Sequence, residues 1–164
     1  MNLYLAEIAR EEARKNYHGN TSAAIGNLQP LAELFEVIDD LTLEDLNADW
    51  SGAFVFLCTE RAQMGLPVRY PDTRVRASFA DVISWEQYAR LPKIHAWLGC
   101  DTIPEIGDLV IFDYVNGRPP KMGIVLSVNG ETMDVAVGNH HNHSALIEHS
   151  LTEGVRGYIR LRLA

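Results

Sequence analysis

Two cysteines in 164 residues exclude a disulfide framework and leave at most one bridge, between Cys58 and Cys100. So few thiols match a reducing compartment, and both are read as buried and unpaired. Long apolar runs are missing as well. No stretch could span a bilayer, and the first residues turn charged at Glu7, Arg10, Glu11 and Glu12 before an apolar run could serve as a signal peptide. A cytoplasmic location is therefore expected, with lytic or non-classical release as the route to any cell wall. Positive charge is scarce: 14 Lys and Arg stand against 22 Asp and Glu, a formal charge of -8. Without a basic block to follow a phosphate backbone, neither nucleic acid nor a membrane is an expected partner. Repeats, low-complexity tracts and linkers are also lacking, so the chain reads as one domain.

What is present is a helical half followed by a strand-forming half. Leu5, Ile8, Ala9 and Ala13 mark one face of an opening helix that ends in the polar stretch Asn16 to Asn20. Pro30 suits a first turn, and Leu31, Leu34, Phe35 and Ile38 line one side of a second helix. After the acidic segment from Asp39 to Asp49, residues Ser51, Phe54, Val55, Cys58 and Ala62 recur at spacings of three and four. Gly65 and Pro67 stop that third helix, which puts Ser51 at its N-terminus, facing the core. Helical spacing returns through Val82, Trp85, Tyr88 and Ala89, within a helix expected from Phe79 to Leu91 and closed by Pro92. From Gly107 the period changes to two. Leu109 to Phe112 reads as a buried strand, Met122 to Val128 pairs with Thr132 to Val137 across an Asn129-Gly130 step, and Gly157 to Leu161 supplies a last strand. Helices first and strands second predict an α+β domain with helices on one side of an antiparallel sheet.

The run Asp49-Trp50-Ser51-Gly52-Ala53-Phe54-Val55 resembles the nucleophile motif of the CHAP-type peptidoglycan amidases and endopeptidases, papain-like enzymes related to the NlpC-type peptidases. There a Trp-Cys-small-small-Phe-Val run opens an apolar helix. Four more segments resemble the same family in order and spacing. Pro104-Glu105-Ile106-Gly107-Asp108 followed by Leu109 to Phe112 looks like its Pro-x-x-Gly-Asp strand, and Lys121-Met122-Gly123-Ile124-Val125 like its His-apolar-Gly-Ile-Val strand. Gly138-Asn139 looks like its Glu-Gly-Asn segment, and Arg156 to Arg160 like its closing strand. The resemblance implies a papain-like core over residues 49–164, with residues 1–48 as a helical extension packed on it. It also places Ser51 at the cysteine position, Lys121 at the histidine position and Val137 at the acidic position, keeping only Asn139 of the polar set. In the family a thiolate attacks a peptide carbonyl and imidazole shuttles the proton, with the helix N-terminus favouring both thiolate and oxyanion. The implied function is a catalytically silent homologue that keeps a groove for a peptide-like ligand or peptidoglycan fragment, without a cofactor.

Two other readings stay open. The first is an active amide hydrolase with Ser51 as nucleophile and Lys121, or a loop histidine, as base. A neutral lysine would need its pKa brought from ~10.4 to ~7.5, about 4 kcal/mol against its charged form, and the acidic chain offers no evident cationic neighbour to help. A solvated lysine and a helix-capping serine are the simpler assignment. The second is an intracellular interaction domain whose sheet edge or N-terminal helices engage a protein partner. His140 and His141 could reach the groove, and His141 and His143 are expected on one strand face, yet no zinc-type spacing accompanies them or His149, and no metal is assigned. Trp85, Tyr88 and Trp97 are read as core, whereas Trp50, next to Ser51, is placed in the groove with Asp49. Asp49 also serves as a helix cap, and Asp113 as a strand-end charge.

Overall fold

A computed structural model describes residues 1–36, 46, 48–113 and 120–162. Among them four helices, α1 (Leu3–Ala13), α2 (Gln29–Ala32), α3 (Ser51–Arg61) and α4 (Val82–Ala89), precede six strands. The strands are β1 (Trp97–Gly99), β2 (Leu109–Phe112), β3 (Met122–Asn129), β4 (Thr132–His140), β5 (His143–Ser150) and β6 (Val155–Ile159). They form one sheet in the order β1-β6-β2-β3-β4-β5, antiparallel throughout. The architecture is α+β, as the change of period predicts.

Local signals fix where the helices begin. The Asn2 side chain accepts the Leu5 N–H at 3.0 Å, and Leu5, Ala6, Ala9 and Ala13 of α1 are buried. α2 is shorter than its apolar spacing suggests. Regular helix covers only Gln29–Ala32, turns carry the chain on, and Leu31 and Phe35 still reach the core. Ile38, most of the acidic segment before Asp49, and Arg118 and Pro119 lie outside the described residues. α4 starts three residues later than the helix expected from Phe79, because Asp81 caps it by accepting the Ile83 N–H at 3.0 Å. Phe79 stays in the preceding loop, its N–H bonded to the Val68 carbonyl and its own carbonyl accepting the Trp85 indole at 2.8 Å.

α3 is the core helix. Its spacing predicts one apolar face, but every residue from Ser51 to Thr59 is buried. The reason is packing on several sides: Phe56 meets Phe35 and Phe79, and the helix touches α1, β3 and β4. At Gly52 an added Cβ would lie 2.7 Å from the Ala80 carbonyl oxygen, so only glycine lets the loop before α4 come this close.

The sheet buries both faces. Leu109, Ile111, Ile124 and Ala136 pack with the helices, whereas Val110, Val125, Val135, Val137 and Tyr158 form a second cluster that, among the described residues, draws none from a helix. Register shifts occur in the β2–β6, β3–β4 and β4–β5 pairs, and side chains of non-adjacent strands meet at this cluster, Tyr158 Oη with Met133 Sδ at 3.8 Å and the rings of Phe112 and His149 at 4.7 Å. The expected β3–β4 hairpin is present, with Asn129 paired to Thr132 around Gly130 in left-handed conformation. The last strand runs from Val155 to Ile159 rather than from Gly157 to Leu161. Both cysteines are free, but only Cys58 is buried; Cys100, just past edge strand β1, is exposed, which corrects its assignment to the interior.

Glu86 ties α4 to β6. Its carboxylate takes Arg156 at 2.6 and 3.1 Å and Arg90 at 3.0 Å. Burial pushes its pKa up, but these two guanidinium groups outweigh that and leave it below the ordinary glutamate value. A carboxyl depressed in the fold adds stability above its unfolded pKa and loses it as pH falls through the folded one. Glu86→Gln is therefore expected to cost ~1 kcal/mol at pH 7, with the difference from wild type vanishing in acid. Urea titrations at both pH values check this, and a pH-independent difference would contradict it.

Candidate active site at the start of α3

The polar cluster begins where α3 begins. Ser51 is its first residue, and both the Ser51 N–H and the Ser51 hydroxyl point to one oxygen of Asp49, at 3.3 and 3.2 Å. Asp49 is thus the cap-like acceptor expected of it. Ser51 is not a capping residue: its oxygen donates backward to Asp49 instead of accepting a helix N–H. The serine has no exposed surface, whereas Asp49 is half-buried. Burial raises the Asp49 pKa, opposed by the two bonds from Ser51, a bond from the Asn139 side chain and the charge of Lys121; the net direction is upward.

The facing wall is the end of β4. An added Cβ on Gly138 would stand 2.5 Å from Phe54 Cβ and 3.0 Å from Trp50 Cζ3, so the strand backbone lies directly against α3. Next to it Asn139 adopts φ 57° within the register shift between Val137 and His140. Asparagine tolerates this left-handed conformation, and the irregularity re-aims its side chain toward Asp49. Lys121, half-buried just before β3, donates from Nζ to the Asn139 carbonyl oxygen at 2.7 Å. Ser51, Asp49, Asn139 and Lys121 therefore form one connected set contributed by three parts of the chain.

The structure brings Ser51, Lys121 and Asn139 to one end of the sheet, but no hydrogen bond joins Ser51 to Lys121 among the described residues. The lysine spends its bond on a backbone carbonyl rather than lying in solvent, so its reading as a solvated residue is corrected too. Trp50 does not line a groove. It is fully buried against Gly138, and its indole N–H has no partner among the described residues. Trp85 and Tyr88 are core, as expected, while Trp97 is half-buried under the Arg90 guanidinium, 4.2 Å from its ring. Asp113 is an exposed residue just past β2.

The chain matches no model of a known protein family and no curated protein.

His140 and His141 are exposed, with their rings 4.4 Å apart. Burial lowers the His140 pKa, helped by His141 and by Lys121, so this imidazole lies within electrostatic reach of the cluster. His141 and His143 do not share a strand face. His141 and Asn142, at φ 49° and 65°, are the two central residues of the tight turn joining β4 to β5. His143 instead stacks on His18 at 5.7 Å, with Nδ1 of each ring against Asn16. Among the described residues no three His, Cys, Asp or Glu side chains converge as a metal site, and no helix is long and apolar enough to cross a membrane.

Sequence reasoning missed two features. One is Asp49 as the common acceptor of the cluster; the signal was its position two residues before Ser51, the Asx-turn spacing. The other is Gly138 as the contact that lets β4 approach α3. The Gly-Asn pair marked a family segment without showing what it touched.

Proposed function

We propose that this chain is a CHAP-type, papain-like domain that no longer hydrolyses and retains a peptide-binding groove beside the start of α3, where Asp49, Lys121 and Asn139 meet. The observation that carries this is the commitment of both candidate catalytic groups elsewhere. The Ser51 hydroxyl is buried and donates to Asp49, and the Lys121 ammonium donates to a carbonyl. A base must accept the nucleophile's proton at hydrogen-bond distance. Here the lysine acts as a donor, to the Asn139 carbonyl and not to Ser51. Support for the lineage comes from the order of elements: a central helix opening on the Trp50-Ser51 motif, then an antiparallel sheet whose third and fourth strands bring Lys121 and Asn139 to that opening. A recognition cleft survives such losses because its shape does not depend on a thiolate. The family resemblance points to peptide-like fragments of peptidoglycan as the ligand class.

Incubation with a serine-reactive fluorophosphonate followed by intact-mass measurement tests the silence. The expected result is an unchanged mass. A single adduct mapped to Ser51 would overturn this reading and establish the hydrolase with Ser51 as nucleophile.

A further inference from the structure

The geometry points to a strand-addition site on the outer edge of β5, where an extended segment of a partner protein pairs antiparallel with Leu146 to Ser150 and sets arginine or lysine opposite Glu148. Its recognition elements are backbone groups of β5, none of which belongs to the cluster around Asp49. β5 ends the sheet and pairs within it with β4 alone. In an antiparallel ladder successive residues turn their N–H and C=O groups alternately to one side and the other, and two bonds fix the alternation here. The Leu151 N–H reaches the Glu131 carbonyl at 3.0 Å, so odd-numbered residues of β5 face β4. On the opposite side the Ser144 N–H reaches the Tyr17 carbonyl at 2.8 Å, so even-numbered residues face outward. At the start of β5 the chain fills this outer edge itself: His18 bridges His143, and the Gly19 N–H bonds the Asn142 carbonyl at 3.3 Å. Beyond Ser144 the backbone groups of Leu146 and Glu148 point outward and meet no further segment among the described residues. Both residues are exposed, Leu146 at 42%.

The neighbours of this edge decide its occupant. A second copy of β5 does not fit. Two-fold registers that use the outward groups of both Leu146 and Glu148 meet one of three obstacles. They call on Asn142 or Ser144, already bonded to Gly19 and Tyr17; they drive the copy's Ser150 into the place of Tyr17; or they set Glu148 against Glu148. A peptide from a different protein meets none of these. Ala145 and Ile147 are partly buried against the second apolar cluster, so an aliphatic residue opposite Ile147 extends that cluster across the edge. Leu146 lies opposite Ala136, whose side chain belongs to the helix-side core, and a second aliphatic residue there covers the exposed leucine. Glu148 is exposed and makes no ion pair among the described residues, so opposite-charge pairing selects a cation at that position. The net charge of -8 adds attraction for a basic segment.

The probe is the peptide acetyl-Lys-Thr-Arg-Val-Ile-amide, whose antiparallel register sets arginine opposite Glu148, valine opposite Ile147 and isoleucine opposite Leu146. Titration into the full chain is followed by the backbone amide resonances of the protein. Two further peptides carry a single N-methyl group, one on the arginine amide, which faces β5 in this register, and one on the valine amide, which faces away. The expected result is saturable shifts at Leu146 and Glu148. Methylation at arginine is expected to weaken binding at least tenfold and methylation at valine less than twofold, because only the first removes a hydrogen bond to the edge. Glu148→Lys, a change at an exposed position, is expected to weaken binding at least fivefold. Absence of a saturable shift at millimolar peptide would overturn the site, as would shifts that omit Leu146 and Glu148. Equal losses from the two methylations would reject pairing through the backbone, and undiminished binding to Glu148→Lys would reject the basic partner.

Discussion

Gly138→Val is expected to destabilise the fold by ~3 kcal/mol and to disassemble the polar cluster with it. The new Cβ would enter at 2.5 Å from Phe54 Cβ, 2.8 Å from Phe54 Cγ and 3.0 Å from Trp50 Cζ3. Both neighbours are fully buried and belong to the opening turns of α3, which is packed on several sides and cannot withdraw. Either β4 moves away from α3 or the two aromatic side chains leave their rotamers; in each case overpacking costs energy that the rest of the core cannot recover. Because Asn139 follows immediately, a displaced strand also withdraws the amide that faces Asp49 and the carbonyl that holds Lys121. Urea unfolding should show a lower midpoint with an unchanged slope, and the Asn139 side-chain amide resonances should shift. A loss below ~1 kcal/mol would mean that strand and helix are not in the close contact described.

How far the sequence discloses this arrangement depends on whether the information is local. The Asn129-Gly130 hairpin, the strand entered at Asp108 and the start of α3 at Ser51 are legible, because each is set by a few adjacent residues. The start of α4 is not, since apolar spacing runs through Phe79 while the Asp81 side chain decides where the helix begins. Alternation along β4 and β5 also misleads at the histidines. It carries His141 onto a strand face, whereas the chain reverses at His141 and Asn142, two residues with positive φ that lack the usual glycine signal. The burial of Trp50 could not be read from its place beside Ser51, for the same motif fits an aromatic turned inward or outward until Gly138 is known to abut it. The second apolar cluster is likewise invisible to periodicity, which marks Val110, Val125 and Val135 as strand residues but does not show that side chains of non-adjacent strands meet among them. Within the site, the proximity of Ser51, Lys121 and Asn139 came from resemblance across distant segments. Asp49 as their shared acceptor needed geometry.

Arg160→Ala is expected to cost ~3 kcal/mol, more than Asp108→Asn, because the two changes leave opposite things behind. Asp108 is 2% exposed and occupies the Gly-Asp step that opens β2. Its carboxylate accepts Arg160 Nε at 3.0 Å and Nη2 at 2.8 Å, and the Glu105 N–H at 2.7 Å. Its backbone carbonyl takes the Val125 N–H at 2.9 Å, so one residue fastens the start of β2 to β3 and to the segment after β6. Removing Arg160 strands a buried carboxylate with its charge only partly compensated. Asparagine at 108 removes the charge and keeps an oxygen for the Glu105 amide, a smaller loss. The preceding Gly107, at φ 89° with its α-carbon against the Asn2 carbonyl, can present Asp108 only as glycine, which gives the Gly-Asp pair a structural meaning independent of any reaction. Denaturant midpoints for the two single variants and the double variant form a cycle in which a coupling above ~1 kcal/mol is expected. Additive losses would show that the guanidinium contributes through its packing or its ion pair with Glu105 at 3.1 Å rather than through Asp108.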